Sequence, residues 1–138
     1  MHKRKALLAE LLKQTSDIST THLPLGGSLI AYKLLLNLYL SQLRGEEPTV
    51  KSLFASIPYS DMGIRYHVRK LLSDGWMELK PSPVDKRTKV CVPTAKFDAA
   101  WAVVMEQIGA HIDDYLTCGQ CGAELSVQLV RATDKDWD

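Results

Sequence analysis

Residues 49–94 read TVKSLFASIPYSDMGIRYHVRKLLSDGWMELKPSPVDKRTKVCVPT. Val50, Leu53, Phe54 and Ile57 give a short helix a buried side behind Thr49, whose hydroxyl suits an N-cap. Pro58 ends that helix, because proline has no N–H to donate and restricts the residue before it. Ser60 caps a second helix in which Ile64, Val68, Leu71 and Leu72 recur at i, i+4, i+7 and i+8, and Gly75 closes it as a C′ glycine. Trp76–Lys80 and Lys89–Val92 have strand character and are joined by residues 81–88, a basic tip stiffened by Pro81 and Pro83. Helix, tight turn, helix and basic hairpin is the layout of a winged helix-turn-helix, and it points to duplex DNA as the partner.

Working outward toward the N-terminus, Ser28 caps a leucine-rich helix carrying Leu29, Ile30, Leu34, Leu35, Leu38 and Leu43 to a stop at Gly45. Leucines on nearly every face predict a central, heavily covered helix. Before it, residues 15–27 are rich in Ser, Thr and Gly with Pro24, and read as a connector. Residues 3–14 place Leu7, Leu8, Leu11 and Leu12 on one helical face. Toward the C-terminus, Thr94 caps a long helix with Phe97, Trp101, Val104, Ile108, Ile112 and Tyr115 at spacings of three and four. Residues 118–122, Cys-Gly-Gln-Cys-Gly, break it before a last short helix with Leu125, Leu129 and Val130; the acidic tail at residues 134–138 is expected to fray.

The expected fold is therefore mainly α with a small β-hairpin. It is a single domain over 1–138, with a winged helix-turn-helix core at 28–97 and helices at 1–14 and 98–132 for dimerisation. A chain of 138 residues, 46% hydrophobic, can bury such a core. No apolar run approaches the length needed to span a bilayer, and Glu10 and Lys13 interrupt the N-terminal apolar stretch too early for an export signal. Three cysteines, an odd number without an export signal, point to reduced thiols and a cytoplasmic, nucleoid-associated protein.

The formal charge of +1 conceals an asymmetry. Between residues 51 and 96 stand nine basic residues (Lys51, Arg65, Arg69, Lys70, Lys80, Lys86, Arg87, Lys89, Lys96) and four acidic ones (Asp61, Asp74, Glu78, Asp85), a net +5 that leaves −4 for the remainder. A local patch, and not the total, sets the field and the counterion release that a polyanion responds to. On helix-turn-helix geometry the first turns of the second helix face base edges, which nominates Ser60, Asp61, Met62, Arg65, Tyr66 and Arg69 for DNA contact. Lys86, Arg87 and Lys89 do the same for the hairpin. Arginine at such a site contacts guanine or phosphate, and Tyr66 meets a phosphate or a thymine methyl, or is half packed under the hairpin. His67, beside Val68 on the inward side, reads as a core-edge histidine.

The stretch from Leu53 to Ile64 (LFASIPYSDMGI) resembles, without a gap, the helix-turn-helix of the MarR-type winged-helix regulators, with Ser60 at the capping position and Ile64 at the family's buried valine. Leu71 through Gly75-Trp76-Met77-Glu78 is similar to the family's passage from recognition helix into strand. Asp85-Lys86-Arg87 followed by Pro93-Thr94 is similar to its D-x-R wing signature and strand-to-helix junction. The resemblance covers residues 28–96 closely and the flanking helices by pattern. It implies that Asp85 and Arg87 fix the wing tip, with Arg87 reaching the minor groove. It also implies a two-fold dimer in which the first helix and the last two interdigitate with a second copy, and a small aromatic effector held near Tyr32, Tyr39 and Trp101. Pro58 departs from the family's turn glycine, and Met62-Gly63 from its small hydroxyl pair, so base specificity does not carry over.

The leucines at 7, 8, 11 and 12 and the Leu125, Leu129, Val130 set support a dimer independently, since they need a partner surface; packing on one another within a monomer is the alternative. Tyr32, Tyr39 and Trp101 at helical spacing also read as plain core. Cys118 and Cys121 form a lone C-x-x-C, short of a four-ligand zinc site unless His111, Cys91 or a second subunit contributes. They read as two ordinary thiols, with zinc or a redox switch as alternatives, and no cofactor is expected. Four scattered histidines, with no nucleophile partner and no glycine-rich phosphate loop, argue against an enzyme. The functional expectation is a sequence-specific, double-stranded-DNA-binding transcriptional regulator, most simply a dimeric repressor responsive to an effector. The alternatives are a winged-helix protein-interaction module and a plasmid or phage replication or partition factor.

Overall fold

The computed structural model describes residues 2–116, in the order α1 (His2–His22), α2 (Leu29–Leu43), α3 (Val50–Ala55), α4 (Asp61–Ser73), β1 (Met77–Pro81), β2 (Lys89–Pro93) and α5 (Ala95–Leu116). The expected last helix with Leu125, Leu129 and Val130, and the Cys118–Cys121 pair, lie outside the described residues. The backbone forms two compact units, His22–Ala102 and, among the described residues, 2–21 with 103–116. The architecture is mainly helical with one two-stranded antiparallel hairpin.

In the larger unit the core is built from one stripe of each helix and one face of the hairpin. Leu34, Leu35 and Leu38 of α2, Leu53 of α3, Ile64, Val68 and Leu71 of α4, Val90 and Cys91 of β2 and Phe97 and Trp101 of α5 are all buried. The middle of α2 is covered as its leucine content predicts, but its ends are not. Leu29 at its start and Leu40 and Leu43 near its end are exposed.

α1 corrects the sequence reading at one boundary. The stretch expected to be a connector from Thr15 is helical through His22. The hydroxyls of Thr15, Ser19, Thr20 and Thr21 each donate to the carbonyl four residues back, at 2.7–2.9 Å, so these residues satisfy themselves inside the helix instead of breaking it. Ile18 and Ser19 are buried, which supplies the tertiary reason for the extra turns. The true connector is residues 23–28, anchored by buried Leu23 and Leu25.

Candidate nucleic-acid interface

The helix-turn-helix is set by two caps. Thr49 accepts from Ser52 N at 3.0 Å at the start of α3, and Ser60 accepts from Gly63 N at 3.4 Å at the start of α4. Between the helices, Ile57 is buried and Tyr59 N donates to Ile57 O at 2.9 Å. Among the described residues only glycines have positive φ, and none lies in this turn, so Pro58 fits where a turn glycine is the usual choice. Lys33 Nζ sits 5.2 Å from the centroid of the Tyr59 ring and holds the turn against α2.

α4 ends in a Schellman arrangement: Trp76 N donates to Leu71 O at 2.9 Å and Gly75 N to Leu72 O at 3.2 Å, with Gly75 at φ +78°. Two residues at the start of α5 lock this end. Thr94 Oγ1 lies 2.7 Å from Gly75 O and 3.1 Å from Trp76 O, sharing its one proton between them. Lys96 Nζ donates to Asp74 O at 3.0 Å and lies 4.7 Å from the Trp76 ring centroid. A cation at the last carbonyls of α4 also complements the helix dipole. Lys96, counted among the basic residues of the patch, thus has internal work and is not a free charge.

With Ile64, Val68 and Leu71 inward, α4 presents two outward rows at i, i+4 spacing: Met62 with Tyr66, and Arg65 with Arg69. Met62 is 83% and Tyr66 62% exposed, so Tyr66 is not packed under the hairpin. Gly63 faces the opposite way. A Cβ there would meet Ile30 Cδ1 at 3.1 Å, so the glycine lets the first turn of α4 lie close on α2.

His67 is half-buried, and its Nε2 lies 3.0 Å from Ser28 Oγ, the cap of α2. Burial lowers its pKa, and neighbouring Lys70 lowers it further. The lowered pKa favours the neutral ring, which shares a hydrogen bond with the Ser28 hydroxyl through Nε2. One serine therefore caps α2, accepting from Ala31 N at 3.4 Å, and ties it to α4.

In the wing, Met77 pairs with Pro93, Leu79 with Cys91 and Pro81 with Lys89. Asp85 organises the tip: one carboxylate oxygen accepts from Arg87 N at 3.0 Å, the other from Thr88 Oγ1 at 3.3 Å, and its carbonyl accepts from Thr88 N at 3.0 Å. Ser82 N closes the loop on Thr88 O at 2.8 Å, and Ser82 Oγ accepts from Val84 N at 3.2 Å. Arg87 contributes its amide to this frame, while its guanidinium stays outside it. A feature missed in the sequence braces β2. Pro48 O accepts from Cys91 N at 2.8 Å and Thr49 bridges to Val90, so the segment entering α3 adds a short third edge to the hairpin. Its only signal was Pro48 directly before the Thr49 cap.

Arg65, Arg69, Lys86, Arg87 and Lys89 are exposed, and none forms an ion pair or side-chain hydrogen bond among the described residues. Asp61, also exposed, opens α4 where its charge favours the helix dipole. Lys80 differs, lying 3.9 Å from Glu78 across exposed solvent.

The residues expected near an effector separate. Tyr39 and Trp101 meet edge to face at 4.5 Å between centroids, with Phe97 tilted 6.4 Å and 6.2 Å away, a packed aromatic core. The buried Trp101 Nε1 has no hydrogen-bond partner among the described residues. Tyr32 takes no part in that cluster. Leu7, Leu8 and Leu11 on α1 are half-buried and Leu12 is 73% exposed. Among the described residues no group of His, Cys, Asp and Glu could hold a metal. Cys91 is buried, which pushes its thiol up to about 11 and makes it a poor ligand or nucleophile. No helix among the described residues is long and apolar enough to cross a membrane.

Two capped helices joined by a tight turn, followed by a braced hairpin, define a winged helix-turn-helix. Comparison of the sequence with protein-family models and with curated proteins finds no match. Solved structures do match. The transcriptional regulator Tm0710 from Thermotoga maritima is similar with a TM-score of 0.68 at 15% identity, over 98% of this chain and 94% of that one. The YusO protein from Bacillus subtilis gives 0.66 at 13% identity, over 97% and 90%. Wild-type MarR from E. coli, in its apo form, gives 0.58 at 16% identity, over 97% and 96%. The fold is that of the MarR-type winged-helix regulators.

Proposed function

We propose that this protein is a double-stranded-DNA-binding transcriptional regulator that works in the cytoplasm as a homodimer, most simply as a repressor that occludes a promoter. The observation that carries this reading is the set of exposed cations on α4 and the wing, Arg65, Arg69, Lys86, Arg87 and Lys89, none neutralised by another described residue. Leaving so many cations without partners has no folding benefit, whereas a polyanion would release counterions on meeting them. The Asp85 frame supports a wing tip held rigid for a groove, and the incompletely covered leucines of α1 support a partner copy. Such a regulator acts by occupancy and needs no catalytic group.

The test is selection of bound fragments from a pool of random duplexes with the full-length protein. Enrichment of a pseudo-palindrome with half-sites about one helical turn apart, roughly 34 Å, is the expected result. Failure to enrich any sequence, together with binding that does not depend on salt, would refute it in favour of a protein-docking module.

A further inference from the structure

The two rows on α4 differ in chemistry, and that difference carries information about what is read. Arg65 and Arg69 form a cationic row, while Met62 and Tyr66 form an apolar one beside it, each pair one helical turn apart. Met62 lies in the first turn, at 83% exposure, on the segment that a helix-turn-helix offers to base edges. Its side chain serves neither the core nor a cap: Ser60 caps the helix, Gly63 makes the close contact with α2, and Ile64 fills the core. Tyr66 makes its one aromatic contact with its neighbour His67, edge to face at 5.1 Å between centroids, and its phenol has no hydrogen bond among the described residues. Two large apolar groups held in water at a site flanked by unpaired arginines mark a surface for a partner that is both anionic and locally apolar.

In the major groove of DNA the apolar feature on a base edge is the C5-methyl group of thymine. Methionine suits it, being unbranched and polarizable and so able to settle on a methyl without a fixed hydrogen-bond geometry. The neighbouring arginines supply the complementary contact to phosphate or guanine. We infer that Met62, with Tyr66 behind it, reads thymine methyl groups, so that the preferred site carries thymine opposite this row. The inference rests on the DNA-binding function proposed above.

The experiment replaces each thymine of the selected duplex singly by deoxyuridine, which removes the methyl and leaves every hydrogen-bonding edge intact. Affinity of the full-length protein is then measured with wild type and with Met62→Ala, both checked for unchanged thermal unfolding. At the thymines facing the row, wild type should lose about fourfold per methyl, the change expected for exposing one CH2-sized group. Met62→Ala should bind the thymine duplex as weakly as wild type binds the deoxyuridine one and lose its sensitivity to the replacement. A protein that selects a site yet binds all deoxyuridine duplexes equally, or a Met62→Ala variant as sensitive as wild type, overturns the methyl reading alone. A protein that selects no duplex overturns the function beneath it.

Discussion

On the proposed function, the salt dependence of duplex binding follows from which cations are free. Arg65, Arg69, Lys86, Arg87 and Lys89 have no anionic partner among the described residues, whereas Lys96 is occupied by the Asp74 carbonyl and the Trp76 ring. Each phosphate contact adds about −0.9 to the slope of log K against log salt, so full engagement gives about −4.5 per subunit and about −9 for a dimer. Between about 50 and 200 mM salt that ceiling corresponds to a loss of roughly 10⁵ in affinity. Arg87→Ala should make the dimer's slope shallower by about 1.8, one contact per subunit. Lys96→Met, which keeps the aliphatic stem over Trp76, should leave the slope unchanged while lowering stability by about 1 kcal/mol through the lost cation–π and carbonyl contacts. Fluorescence anisotropy of a labelled duplex across this salt range reads both slopes. Equal slope changes for the two variants, or none for Arg87→Ala, would refute the assignment of free and occupied charges.

Three further outcomes follow from local geometry. Gly63→Ala should change stability by less than about 1 kcal/mol, since the gain in helix propensity opposes a 3.1 Å approach to the movable end of Ile30, while Gly63→Leu should cost more than about 2 kcal/mol in chemical denaturation. Asp85→Ala removes the acceptor for Arg87 N and Thr88 Oγ1, and amide exchange at Arg87 should rise with no change in the melting of the helical core. His67 titrates below its ordinary 6.5 because burial disfavours its charged form, so the unfolded chain binds more protons in the window just under 6.5. Stability should therefore rise with pH through that window and fall on acidification, and His67→Gln should flatten this part of the profile; identical profiles would count against the half-buried neutral ring.

Element identity was legible because caps and periodicity agreed. Thr49, Ser28 and Ser60 each stand as the cap their position predicts, and Gly75 closes α4 with the geometry its placement implies. The boundary of α1 was not legible, because hydroxyl-rich residues favour both a connector and back-bonding within a helix, and only the burial of Ile18 and Ser19 decides between them. The candidate interface was legible as a set of residue types, since the helical period alone assigns Met62, Arg65, Tyr66 and Arg69 to an outward face. What could not be read was which charges are engaged. Lys96 and Arg87 are equivalent in a charge count, yet one holds a helix end and the other projects from a turn. The Pro48–Cys91 bond was equally hidden, since a pairing across more than forty residues leaves no local pattern.

That bond and the Thr49–Val90 bridge fasten β2 at its middle and loop-proximal residues, whereas among the described residues the hydrogen bonds of the 82–88 loop run only within it. Strand and tip are therefore held by separate sets of contacts. Exchanges within the loop leave β1, β2 and the angle of α4 in place, and the surface this hairpin presents can be altered by editing one loop while the remainder of the scaffold stands still.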